Sequence, residues 1–169
     1  TPVALLAYFQ HSGFHAAAFT ETNRYRDLSA LSTGNILALA GAEVELVQAD
    51  APERPVRAYG VGKAGQWSAQ HELQVDRESG LAGLTAAIAE MKKQGLFCVL
   101  AHPYMSALQC SDVQNIVGFD AIEICNTQEE ELDRTGTALM FWDSLLRSGR
   151  QVLGIAADGR SFYRDAPRA

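Results

Sequence analysis

One imidazole and several carboxylates in this sequence sit where apolar runs end or are interrupted, and together they could do chemistry. His102 closes the run that begins at Leu96 and is followed at once by Pro103. Glu43 interrupts the apolar stretch from Asn35 to Leu46, with Glu45 two residues on. Glu21, Asn126 and Asp158 stand in polar positions at the ends of three further apolar runs. Carboxylates and an imidazole converging on one mouth suit a divalent ion such as zinc or manganese. Such an ion lowers the pKa of a bound water and clamps an anionic oxygen. Each residue also has a plainer use. Glu21 and Asp158 could cap the turns or helices that follow, and Asn126 could shape a turn. His102 could be a hydrogen-bonded histidine on a rim. Glu43 resists that treatment, because an unpaired carboxylate among apolar strand residues is expensive to bury. Glu45 shares its face by the period of two in a strand, so either could be the inward one.

These residues need strands to carry them and helices to cover the strands. Thr1-Pro2 is a helix start, with threonine as cap and proline in the first turn, and the helix is expected to run through Leu5, Leu6 and Phe9 to Gly13. Phe14 to Phe19 reads as a strand, Tyr25 to Leu31 as a short helix and Val56 to Val61 as a strand. The segment 62–79 is polar and carries no pattern. Leu81, Leu84, Ile88 and Met91 mark one face of a helix closed by Gly95. The strand ending in His102 follows, then a short helix from Ser111 to Val117 and a strand from Phe119 to Cys125. Glu129-Glu130-Glu131 reads as a solvated loop or helix start. Leu139, Trp142, Leu145 and Leu146 define an amphipathic helix closed by Gly149, and Val152 to Ala157 is the last strand. Strands alternating with helices predict a parallel α/β fold, either a barrel or an open sheet, whose ligands gather at the carboxyl ends of the strands.

Composition narrows the classes. A chain of 169 residues is expected to form a single domain, 1–169, with a substantial core. A net charge of −6 leaves no electrostatic footprint for nucleic acid or an anionic membrane. The apolar runs fall short of a membrane span. Three cysteines, none in a CxxC pair, argue against a disulfide framework and for a cytoplasmic setting. Cys98 and Cys125 read as buried small hydrophobes, Cys110 as a loop residue. His11, His15 and His71 read as surface residues.

In order along the chain, Gly13 to Asn23, Leu37 to Leu46, Gly95 to Tyr104, Phe119 to Asn126 and Trp142 to Phe162 resemble the polymerase-and-histidinol-phosphatase family of metal-dependent phosphoesterases. The resemblance implies a distorted (β/α)7 barrel of the TIM type, with a multinuclear metal centre at its mouth. Such a barrel is expected to have a further strand ahead of Thr1, bearing the family's His-x-His pair, and further elements beyond Ala169. Glu43 matches the family's bridging glutamate and His102 its Ala-His-Pro histidine. Thr22 stands where the Thr-Asp-His-Asn motif has its histidine, and Val56-Arg57-Ala58-Tyr59 lacks another. At the last motif, Asp-x-His, one alignment puts Gly159 and Ser161 at the ligand positions. A shift by one keeps Asp158 as ligand, with Arg160 in place of histidine. The resemblance thus implies Glu43 and His102 as metal ligands, with Asp158 by the shifted alignment; Glu21, at the end of its apolar run, is a further candidate ligand. Asn126 and Arg160 are the site's candidate catalytic residues, Arg160 holding an anionic substrate such as a phosphate ester. The alternatives are a non-catalytic relative that keeps the fold for binding, or a smaller metal set in which Glu21 substitutes.

Overall fold

The computed structural model describes residues 1–159. The chain opens with helix α1 (Pro2–His11), and the side chain of Thr1 accepts the amide of Ala4 as its cap. Strand β1 (Ala16–Ala18) follows, then β2 (Arg24–Arg26), β3 (Leu37–Leu39), β4 (Gly41–Leu46), β5 (Val56–Val61) and β6 (Gln70–Glu72). Helix α2 (Gly80–Lys93) leads into β7 (Phe97–Leu100), and α3 (Cys110–Asn115) into β8 (Ala121–Asn126). Helices α4 (Thr127–Asp133) and α5 (Leu139–Arg147) precede β9 (Leu153–Ala157).

The strands form an open mixed sheet in the order β6-β2-β4-β5-β7-β8-β9, beside a separate parallel pair, β1 and β3. No (β/α)7 barrel is present among the described residues, which corrects the expected TIM-type fold. Only β7, β8 and β9 are parallel neighbours joined through helices. β2, β4, β5 and β6 pair antiparallel, and so do β5 and β7. The physical reason lies in the connections. Parallel neighbours need a crossover of roughly a dozen residues or more, commonly a helix. The link 47–55 between β4 and β5 carries no helix and makes a hairpin.

Two local expectations also change. Tyr25 to Leu31 is not a helix: Arg24–Arg26 is a strand and only Ser29–Leu31 forms a single 3-10 turn. Arg24 and Arg26 alternate with Tyr25, which is buried, so a period of two governs. The polar segment 62–79 contains β6, a short edge strand with no apolar face to betray it.

Each sheet face has its own character. On β4 and β5 the residues Ala42, Val44, Leu46, Val56, Ala58 and Gly60 turn one way, beneath α2. Leu84, Ala87, Ile88 and Met91 of α2 are buried there, as the apolar spacing predicts. Leu96, Cys98, Leu100 and Ile122 extend this core to Phe141 and Leu145 of α5. Burial pushes the Cys98 thiol up to about 12, so it is an inert core residue. Cys125, by contrast, is exposed. A register shift between Glu123 and Cys125 against β9 turns the strand end outward. A second cluster, Leu6, Ala17, Phe19, Ile36 and Ala38, ties α1 to β1 and β3.

Candidate functional site

The opposite sheet face is charged. Residues directly across an antiparallel pair share a face, and Glu43 pairs with Tyr59 as Glu45 pairs with Arg57. Both carboxylates of β4 therefore turn to the same side, and Arg57 lies between them. Its guanidinium Nε donates to Glu45 Oε2 at 2.8 Å, while Nη2 sits 2.5 Å from the same oxygen. Glu43 Oε1 is 3.7 Å from Arg57 Nε and accepts a hydrogen bond from the Thr22 hydroxyl at 3.3 Å. Thr22 thus stands beside Glu43, joined to it also by a parallel backbone bridge.

This face floors a cleft of about 1720 Å³, with α1 and β1 on its other wall. Glu43, His102, Asp158, Glu21 and Asn126 all line it, so residues far apart in sequence meet in one place. Arg160 lies outside the described residues. His102 follows the end of β7, Asn126 ends β8 and Asp158 follows β9, and the parallel run of these strands gathers the three at one edge. Two are already engaged. Glu21 is paired with Arg26 at 2.6 Å. Asn126 uses both ends of its amide, accepting the Glu129 amide at 3.2 Å as the cap of α4 and donating to Glu123 at 3.2 Å.

The residue that sequence reasoning missed is Glu123. It is 3% exposed and collects three donors. The hydroxyl of Tyr59 donates to Oε1 at 3.0 Å, while the main-chain amide of His102 donates to Oε2 at 2.9 Å, beside Asn126 Nδ2. The signal was available. A single acid inside the apolar run Phe119 to Cys125 raises the same cost of burial that singled out Glu43.

Burial shifts the ionisation of the group. Desolvation lifts Glu43 to about 7, partly offset by the Arg57 charge and the Thr22 hydroxyl. Burial likewise raises Glu123, against the opposing pull of its three hydrogen bonds. His102 is lowered to about 4 by burial and then by Arg57, so its ring is neutral at neutral pH. The Arg57 charge thus bears on the ionisation of both Glu43 and His102. The buried Nδ1 of His102 has no hydrogen-bond partner among the described residues.

A pH dependence follows from Glu43. Its folded pKa lies above its ordinary value of 4.5, so folding favours the protonated form. Its contribution to stability is greatest below about 4.5 and is lost as pH rises through about 7. Glu43→Gln removes that titration. The stability of the variant relative to the parent is therefore expected to increase by roughly 1–3 kcal/mol between pH 4 and pH 8. His102 titrates in both proteins and drops out of the difference. Urea unfolding of the pair at the two pH values measures it, and a difference flat with pH would show that Glu43 is well solvated.

Two residues of the cleft lining offer a donor to a cation. His102 offers an orphaned buried nitrogen, and Glu43 a carboxylate whose charge burial disfavours; a positive ion relieves both. Among the described residues, no group of three or more His, Cys, Asp or Glu side chains is arranged to hold a metal. No protein-family model matches the chain, and no curated protein matches it. No helix among the described residues is long and apolar enough to cross a membrane.

Proposed function

We propose that this chain is a metal-dependent hydrolase of the polymerase-and-histidinol-phosphatase type, acting on a small anionic ester such as a phosphate ester. One observation carries the reading: the half-buried Glu43 and the orphaned His102 line one cleft beside a buried acid, Glu123. Six carboxylates line the cleft against four arginines, two of which are paired with Glu21 and Glu72, so an anionic substrate gains from a further positive charge. Glu43 and His102 would hold that charge. A divalent ion bound there supplies an activated water and neutralises an ester oxygen. Two protein donors suit manganese, which takes water and substrate oxygens readily, better than zinc with its usual three or four protein ligands.

This chain's own residues do the rest. The neutral His102 ring keeps a lone pair available as a donor at neutral pH, because burial and Arg57 hold off its proton. Thr22 donates to Glu43 Oε1 and so fixes one oxygen of the carboxylate. Arg57, braced by Glu45, presents a guanidinium edge at the cleft that can meet an anionic oxygen. Leu5, Phe9 and Phe14 give the far wall an apolar surface.

A second reading is a non-catalytic binding domain of the same descent. The placement of Arg57 favours it, since a fixed cation 3.7 Å from Glu43 opposes a second one. Purification in manganese or zinc followed by elemental analysis separates the two. Stoichiometric metal together with metal-dependent hydrolysis of an aryl phosphate supports the enzyme; metal at background supports the binding domain.

A further inference from the structure

We infer that Glu123 is a positioning residue that sets the place of His102 in the cleft by gripping its main-chain amide. The inference rests on the reading of His102 as a ligand, and extends it to a residue that touches neither substrate nor metal. Three observations carry it. His102 adopts a φ of 20°, a backbone region that residues other than glycine rarely occupy, so some interaction must hold it there. Two hydrogen bonds hold that backbone: its carbonyl accepts the Ser106 amide at 3.2 Å, and its amide donates to Glu123 Oε2 at 2.9 Å, the one of the two that comes from a side chain. Glu123 itself is fixed by donors from another strand and from its own: Tyr59 reaches from β5 across β7 to Oε1, and Asn126 at the end of β8 reaches Oε2. The carboxylate therefore couples β5, the end of β7 and the end of β8 at one buried point.

The need for a carboxylate follows from the donor count. All three neighbours present a proton, and an ionised carboxylate is the one acidic side-chain form that accepts on both oxygens without a proton of its own. Glutamine in its place turns an NH2 group toward at least one donor. The site also falls at the irregularity of β8 against β9, where such a feature re-aims a side chain. Partners one step removed from a ligand commonly alter metal affinity by about 10–100-fold, and Glu123 has the geometry for that role.

The experiment uses the full chain and reads His102 with and without metal. Ring resonances of 15N-histidine-labelled protein are assigned by loss in His102→Ala, which suffices for four histidines. Glu123→Gln is expected to move or broaden the His102 ring signals in metal-free protein, leaving those of His11, His15 and His71 in place. Manganese affinity is expected to fall about 10–100-fold. Tyr59→Phe, which removes one donor and little volume, is expected to shift His102 in the same direction by less, and guards against a Glu123→Gln protein that fails to fold. Unmoved His102 signals in both variants would overturn the inference. If the parent binds no manganese while the His102 signals still move, the positioning role stands and the hydrolase reading fails.

Discussion

Glu43→Ala is expected to lower manganese-dependent hydrolysis of 4-nitrophenyl phosphate by about 10³-fold or more, with far-UV circular dichroism unchanged. The carboxylate provides half of the pair that would hold the cation, and a bound cation contributes several kcal/mol to stabilising charge at a phosphoryl oxygen. At about 1.4 kcal/mol per tenfold, losing it costs roughly three orders of magnitude in rate. Its removal is not expected to unfold the sheet. Glu43 lies on the cleft face, while its strand neighbours Ala42 and Val44 hold the core on the other side. His102→Ala is expected to have a similar effect on rate, because it removes the other donor. A residual rate within about tenfold of the parent in both variants would place the chemistry elsewhere.

The largest expected effect on stability is at Phe141→Ala. Phe141 is 1% exposed on α5 and belongs to the core that reaches from β8 to α2. Truncating a fully buried phenylalanine removes its transfer free energy and leaves a cavity, which together cost about 3–5 kcal/mol. That is a large part of the roughly 5–15 kcal/mol that holds an ordinary domain folded. The other anchors of helix α5 are Leu145, which is buried, and Trp142, whose ring packs on the core and donates to Val152 at 2.8 Å; Leu139, Met140 and Leu146 are exposed. A urea unfolding free energy lowered by less than about 1 kcal/mol would mean that α5 does not seal this end of the sheet.

Much of the architecture was legible where apolar spacing is regular. The α2 face of Leu84, Ile88 and Met91, the capped start at Thr1, and the runs that became β7, β8 and β9 all carry their period in the sequence. The barrel expectation failed because an apolar run does not state the direction of its partner. Glu43 to Tyr59 and Glu45 to Arg57 are hairpin pairs, set by a link without a helix. Edge strand β6 was invisible because Gln70, His71 and Glu72 bury nothing. At the site, the carboxylates and His102 were singled out from their positions at strand ends and within apolar runs, and the fold gathers them along one cleft. What spacing could not show is how their polar atoms are already spent. Glu21 is paired with Arg26, Asn126 is hydrogen-bonded to Glu123 and to the amide of Glu129 in α4, and Glu45 is paired with Arg57. Those pairings depend on strand register, which puts residues from four segments within reach of one another.

The central claim is that Glu43 and His102 share one cation, and titration of manganese(II) followed by electron paramagnetic resonance tests it most directly. The account predicts one manganese bound per chain in the parent, with binding weakened at least tenfold by either Glu43→Ala or His102→Ala and no further loss when the two are combined. Manganese that stays free in the parent, or that binds equally well to the double variant, would contradict it.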